Sequence, residues 1–247
     1  MQPGLVSISF RGHSPAELIS AAKDCGLSTI EWGSDIHAPF ADTTLLTELA
    51  DGCKQSGIRC CSYGTYYRIG ENTVEDIFPY IRAAKILGTN VLRLWCGNKG
   101  SKQYSPAEQE ALFAQCQRLA EIAQKEHVYF CMECHNGTFT DYLDSALTLM
   151  RAVNNPHFAM YWQPNQLRTF EDNLRYAKEI APYVHIIHAF CWDRDSRYPL
   201  ANGMDHWREY LKVLPQVPVL LEFMPDDQLS TLPQEAKTLH HLLEDNQ

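Results

Sequence analysis

Eight short apolar runs recur along the chain at nearly regular spacing. Successive runs start 24 to 37 residues apart, and they begin near Leu5, Thr29, Arg59, Val91, Val128, Phe158, Val184 and Val217. Each run is rich in Val, Ile, Phe, Tyr and Cys, which is typical of strands that are buried on both faces. Eight repeats in 247 residues give about 31 residues per repeat, the size of one βα unit in a closed barrel.

The segments between the apolar runs carry the signals of helix ends. Ser14 and Ser105 each begin the sequence Ser-Pro-Ala-Glu, a capping box with proline at the first helical position. Strands that alternate with helices indicate a parallel sheet. No G-x-G-x-x-G turn and no P-loop is present to indicate a nucleotide-binding fold. The sequence therefore predicts an α/β protein, a closed (β/α)8 TIM barrel that forms one domain over residues 1–247.

Composition and charge narrow the classes of function. Apolar residues make up 45% of the chain and charged residues 21%, values that are ordinary for a folded globular protein. The net charge of −9 disfavours nucleic acid as a partner, because such binding needs a basic face. The nine cysteines are an odd, scattered set and indicate reduced thiols rather than a disulfide scaffold. Without a signal-peptide pattern or an apolar run of ~20 residues, we expect a cytoplasmic protein that does not enter a membrane.

Polar side chains stand where the predicted strands end, and in this fold the carboxyl ends of the strands form the active site. Four of them lie on four consecutive strands: Glu133, Gln163, His188 and Glu222. A single buried carboxylate at such a place would be explained by an ion pair with an arginine such as Arg93 or Arg194. Four polar groups on neighbouring strands instead favour a metal site or an acid–base site.

The types of these side chains indicate which chemistry the site would support. Carboxylate oxygens, one amide oxygen and one imidazole suit Mn²⁺ or Mg²⁺, and less often Zn²⁺. A bound ion would act as a Lewis acid on the carbonyl of a sugar. Two carboxylates beside the same carbon, here Glu133 and Glu222, can remove a proton and return it.

Further residues at the strand ends are candidates for contact with a substrate. Aromatic side chains cluster there, at Trp32, Tyr66, Trp95 and Trp162. Aromatic faces at a pocket mouth suit the apolar faces of a sugar, although packing at the top of the barrel explains them equally well. His135, two residues after Glu133, is expected to hold substrate hydroxyls or a phosphate.

These strand ends resemble those of the xylose isomerase-like TIM barrels, the sugar phosphate isomerase/epimerase superfamily. The resemblance runs along the whole chain, and its most telling segments are residues 31–37, 62–68 and 199–203. It implies that Glu133, Gln163, His188 and Glu222 hold a divalent metal and that the two glutamates form the acid–base pair. It also implies a substrate-binding role for Arg194, six residues after His188. Gln163 departs from the commoner Asp, so the site loses one negative charge and should hold its metal less tightly.

Three functions remain open on this basis. The leading hypothesis is an isomerase or epimerase that acts on a small sugar or sugar phosphate by metal-assisted proton transfer through an enediolate. The second is a metal-dependent dehydratase or lyase that acts on a sugar acid or an inosose. The third is a non-catalytic sugar-binding barrel that has lost its metal through Gln163. The expected partner is a small sugar, and a homo-oligomer is compatible with the resemblance.

Overall fold

Eight parallel strands close into a barrel in the computed structural model, which describes residues 1–246. Each strand pairs with its neighbours along the chain, and the last pairs with the first. The barrel strands are β1 (Gln2–Val6), β2 (Thr29–Gly33), β3 (Arg59–Ile69), β4 (Val91–Cys96), β5 (Tyr129–Glu133), β6 (Phe158–Trp162), β7 (Val184–Ala189) and β10 (Pro218–Leu221). The predicted (β/α)8 barrel is confirmed.

Helices connect the strands on the outside of the barrel. They are α1 (Pro15–Asp24), α2 (Thr43–Ser56), α3 (Ile77–Ile86), α4 (Pro106–Glu126), α5 (Leu143–Val153), α6 (Phe170–Ile180), α7 (Met204–Val213) and α8 (Leu232–Glu244). The side chains of Ser14 and Ser105 accept hydrogen bonds from the third backbone N–H of α1 and α4, and both predicted capping boxes form. None of the helices in the described part of the chain is long and apolar enough to cross a membrane.

Two details of the strands differ from the sequence prediction. The first strand ends at Val6, and Ser7–Phe10 forms a short 3-10 helix instead of continuing the strand. This turn is held by the Ser7 hydroxyl, which accepts a hydrogen bond from the backbone N–H of Gly33 at 2.9 Å. A short antiparallel hairpin, β8 (Cys191–Asp193) and β9 (Ser196–Tyr198), lies between β7 and α7.

The core has two parts because each barrel strand has two faces. The larger cluster packs the outer faces of the strands against the helices, and it includes Trp32 and Trp162. The smaller cluster lies inside the barrel and is formed by Val6, Ile8, Cys61, Cys131, Ala159, Tyr161, Ile186 and Leu220. All nine cysteines are free thiols, as their scattered pattern predicted. The interior cluster forms the base on which the polar groups of the site stand.

Candidate metal centre and active site

The four polar residues singled out in the sequence meet at the carboxyl end of the barrel. Glu133, His188 and Glu222 each offer one ligand atom, and these atoms lie within 4.8 Å of one another. All three side chains are buried. Nδ1 of His188 is 3.4 Å from Oε2 of Glu222 and 3.2 Å from Oε1 of Gln163. One converging set of possible metal ligands is thus supplied by four neighbouring strands: by the end of β5, the residue after β6, the interior face of β7 and the residue after β10.

The charges around this set suit a divalent cation. Glu31, Glu133 and Glu222 bring three buried carboxylates into the barrel, and Arg93 is the buried arginine beside them. Buried carboxylates need a partner of opposite charge. Burial lowers the pKa of His188, but Glu222 and Glu31 outweigh that effect and raise it to about 10. The arrangement therefore attracts positive charge to the position that the donors surround.

Glu133 is held as an ionised carboxylate by two donors on β4. The indole Nε1 of Trp95 donates a hydrogen bond to its Oε2, and Nη1 of Arg93 is 3.4 Å from the same oxygen. Burial raises the pKa of Glu133, whereas Arg93 and His188 lower it, and the net shift is downward. A carboxylate in this state can ligate a metal or accept a proton.

Two residues of the cluster were not predicted as part of the site: Glu31 was not a candidate, and Arg93 was considered only as the ion-pair partner of a buried carboxylate. Glu31 lies on β2 and is 1% exposed; it accepts a hydrogen bond from the Ser62 hydroxyl at 2.7 Å. Arg93 lies on β4, between Glu31 and Glu133. Both could have been found in the sequence, because each is a charged residue within a strand that is otherwise apolar and buried on both faces. The same observation identified Glu133.

The candidate substrate residues Trp95, His135 and Tyr66 lie side by side at the rim. The rings of Trp95 and His135 stack with centroids 5.6 Å apart, and Tyr66 meets Trp95 edge-on at 5.4 Å. The guanidinium of Arg68 covers the Trp95 ring at 4.3 Å. The structure thus joins three of the predicted residues into one aromatic wall beside Glu133.

The structure does not bring Trp32 and Trp162 to the rim. Both are buried in the helix-facing core, where Trp162 packs edge-on against Tyr210 of α7 at 5.0 Å. Neighbouring residues of a strand point to opposite faces, so the inward placement of Glu31 and Tyr161 turns the tryptophan after each of them outward. Their geometry is that of packing residues, and we leave both out of the substrate set.

Arg194 lies in the turn of the hairpin, at a positive φ of 54°. Its backbone N–H donates to the carbonyl of Gln166 at 3.4 Å, while its side chain is exposed. Arg197 of the same hairpin is the cation that covers rings near the site, at 4.9 Å from Trp192 and 4.8 Å from Phe223. The hairpin therefore presents Arg197 to the aromatic rings and leaves the side chain of Arg194 exposed, and the substrate-binding role of Arg194 stays a prediction.

A cavity of about 160 Å³ opens over the two glutamates. Its wall combines two carboxylates, four side-chain amides, three aromatic rings and a histidine: Glu133, Glu222, Asn136, Gln163, Asn165, Gln166, Phe190, Trp192, Phe223 and His135. Within the described residues this wall contains no lysine and no arginine. A second cavity of about 240 Å³ shares Gln166 and Trp192 with it and extends beneath the hairpin. The first cavity suits a ligand with many hydroxyl groups and little negative charge, whereas the second is also lined by Arg168.

The backbone beside Glu222 is held in an uncommon conformation. Phe223 has a φ of 50°, which is costly for a residue with a bulky side chain. Its N–H donates to the hydroxyl of Ser9 at 2.9 Å, and the N–H of Glu222 donates to the carbonyl of Ala189 at 3.0 Å. These contacts fix the direction in which the Glu222 carboxylate leaves the chain.

Comparison with known proteins agrees with this architecture. Residues 19–243 match the family described as "Xylose isomerase-like TIM barrel". A 3-dehydroshikimate dehydratase of Bacillus anthracis is 24% identical over 241 residues, which cover 86% of each chain.

Two solved structures extend the comparison of folds. One is described as the "probable 3-DHS dehydratase" of petrobactin synthesis from Bacillus anthracis. It superposes with a TM-score of 0.84 and is 21% identical in sequence, and the match covers 97% of this chain and 99% of the other. The D-psicose 3-epimerase of Clostridium cellulolyticum superposes with a TM-score of 0.74 at 11% identity over the whole of both chains. With the family match spanning most of its length, the chain belongs to the xylose isomerase-like TIM barrel family.

Proposed function

We propose that this protein is a metal-dependent isomerase or epimerase that moves a proton next to the carbonyl of a small, uncharged sugar. The observation that carries the proposal is the wall of the 160 Å³ cavity, where Glu133 and Glu222 face one space together with four side-chain amides. Two carboxylates at one carbon supply a group to take the proton and a group to return it. The amides supply donors and acceptors for hydroxyl groups.

The donor set fits a divalent ion of the Mn²⁺ or Mg²⁺ type. Glu133, Gln163, His188 and Glu222 would hold it through carboxylate, amide and imidazole atoms. The ion, when bound, would supply Lewis-acid stabilisation of negative charge that develops on the substrate carbonyl oxygen. Gln163 contributes an oxygen without a charge, so the affinity of the site depends on the three buried carboxylates around it.

The two glutamates have different surroundings and therefore different parts in the proton transfer. Oε2 of Glu133 accepts a hydrogen bond from the indole N–H of Trp95 and faces Arg93. Because Oε2 is occupied in this way, Oε1 is the atom that would accept the proton from the substrate carbon. Glu222 has His188 as its charged neighbour, at 3.4 Å. With fewer donors at its carboxylate, Glu222 is the group that would return a proton to the substrate. The stacked rings of Trp95 and His135 stand beside Glu133 at the rim of the barrel.

The same wall argues against a phosphorylated substrate. A phosphate or carboxylate group is usually bound by arginine, lysine or a helix N-terminus. The two charged side chains in the described wall are both carboxylates, and they would repel such a group. An unphosphorylated ketose has the hydroxyl pattern that the four amides can bind.

A dehydratase is the second candidate, and one observation favours it. The curated relative that aligns over 86% of this chain is a 3-dehydroshikimate dehydratase. Elimination of water from a hydroxyketone begins with the same removal of a proton next to a carbonyl. The substrate of that relative carries a carboxylate, and in this chain Arg168, which lines the adjoining cavity, and Arg197 of the hairpin are arginines that could bind such a group.

The experiment is deuterium exchange followed by proton NMR. The Mn²⁺-loaded protein is incubated in D₂O with D-fructose, D-psicose, D-tagatose or L-ribulose, and separately with their phosphates and with 3-dehydroshikimate. We expect deuterium to enter next to the carbonyl of an unphosphorylated ketose. Glu222→Gln should abolish this exchange, and Glu121→Gln, on the exposed face of α4, should not. Turnover of 3-dehydroshikimate alone would establish the second candidate instead.

A further inference from the structure

We propose that Glu31 is a positioning residue that holds the imidazole of His188 with Nδ1 turned toward the metal ligands. The inference rests on the proposed metal site. Nδ1 faces Gln163 and Glu222, at 3.2 Å and 3.4 Å, whereas Nε2 on the other side of the ring is 3.5 Å from Oε2 of Glu31. Histidines that bind metals usually donate their second ring N–H to a carboxylate or carbonyl, which fixes both the tautomer and the ring orientation.

The orientation of the ring requires a partner at Nε2. When Nδ1 is the ligand atom, the ring proton resides on Nε2, which is fully buried and has no hydrogen bond of ordinary geometry within the described residues. Glu31 is the charged acceptor beside it. Contacts of this kind are often long before the site is loaded and shorten when it is. The edge of Tyr161, with centroids 5.1 Å apart, prevents the ring from tilting away.

Glu31 is itself fixed by its neighbours on β3 and β4. The Ser62 hydroxyl donates to Oε2 at 2.7 Å, and Nη1 of Arg93 is 3.8 Å from Oε1. Gly64 leaves the remaining space, since a Cβ at that position would stand 2.7 Å from Oε1. The carboxylate therefore has one available position, and that position faces His188.

A purely structural role would make Glu31 the counter-ion of Arg93 and nothing more. The distances favour the positioning role, because Arg93 is nearer to Glu133, at 3.4 Å, than to Glu31. Glu31 in turn is nearer to His188 than to Arg93. The two roles differ in what they predict for the His188 ring, since losing a counter-ion of Arg93 would change charge and folding but not the orientation of the imidazole. A changed ¹⁴N coupling from His188 is therefore expected of the positioning role only.

The test compares the affinity of the metal-free protein for Mn²⁺, measured by calorimetric titration, in the wild type and in Glu31→Gln. We expect a loss of about 10- to 100-fold in affinity, the range found when a carboxylate behind a metal ligand is removed. Pulsed EPR of the bound Mn²⁺ should show a changed ¹⁴N coupling from His188, which a role limited to folding would not produce. Ser62→Ala, which releases the carboxylate but leaves its charge, provides a milder variant if Glu31→Gln does not fold.

Glu235→Gln is the matched control, because it neutralises a buried carboxylate outside the cluster, one that accepts a hydrogen bond from the backbone N–H of Leu200 at 2.8 Å. It should leave the Mn²⁺ affinity and the ¹⁴N coupling unchanged. A folded Glu31→Gln protein with the affinity and the coupling of the wild type would overturn the positioning role while leaving the proposed function intact. A wild-type protein that binds no Mn²⁺ would instead remove the proposed metal site, and the positioning role with it.

Discussion

Replacing Arg93 with methionine should destabilise the metal-free protein strongly. The guanidinium is 2% exposed and stands 3.4 Å from Glu133 and 3.8 Å from Glu31. Its removal leaves the buried carboxylate of Glu133 without its nearest cation and takes one of two cationic neighbours from Glu31, a change that typically costs about 3–5 kcal/mol. A protein of this length loses about 2–4 °C in Tm for each kcal/mol, so we expect a decrease of about 6–20 °C.

The assay is thermal unfolding followed by circular dichroism, with metal removed by a chelator. Lys85→Met is the control, because its ion pair with Glu126, at 2.7 Å, lies on the surface and such pairs contribute at most about 1 kcal/mol. Added Mn²⁺ should restore part of the loss in Arg93→Met by supplying positive charge to the same carboxylates. If Arg93→Met unfolds at the temperature of the control variant, the charge balance derived from the cluster is incorrect.

Four further predictions follow from single residues. Gly64→Ala should displace the Glu31 carboxylate and lower the free energy of unfolding by about 1–3 kcal/mol, which urea unfolding would show as a lower midpoint. Gly12→Ala is the control and should leave the midpoint unchanged, because a Cβ at Gly12 meets nothing within 4 Å. Trp95→Phe removes the donor to Glu133 and should lower kcat by about 10- to 100-fold, the size of a hydrogen bond to a charged group; an unchanged kcat would argue against that hydrogen bond. In the folded protein a thiol reagent should modify only the half-buried cysteines, Cys25 and Cys191. Burial raises the pKa of Cys61 to about 12 in the folded protein, so this thiol ionises at a lower pH in the unfolded chain. Stability should therefore fall as the pH rises above about 9. A urea midpoint that is higher at pH 10 than at pH 8 would contradict this.

The repeat of apolar runs predicted the barrel together with the absence of a nucleotide-binding turn, because strand–helix units of this length can also form an open doubly wound sheet. The site followed from the same reasoning. Parallel strands bring their carboxyl ends to one rim, so Glu133, Gln163, His188 and Glu222 had to be neighbours once the barrel was accepted.

The contacts that depend on which face a side chain occupies were harder to predict. Glu31 and Trp32 are adjacent, so only one of them can point into the barrel, and the apolar pattern of a strand buried on both sides does not say which. The position of Arg194 was hard to predict for a different reason: it lies in a hairpin turn whose geometry is set by pairing between Cys191 and Tyr198. The apolar pattern of the sequence does not predict that pairing.

The metal content of the purified protein tests the central claim most directly. Elemental analysis by mass spectrometry, followed by titration of the metal-free protein with Mn²⁺ and Mg²⁺, should find about one ion per chain in the wild type and none in Glu133→Ala. A wild-type protein that carries no divalent ion and releases no heat on titration would contradict the account, and would identify the cluster of Glu133, His188 and Glu222 as a buried ion network without a metal.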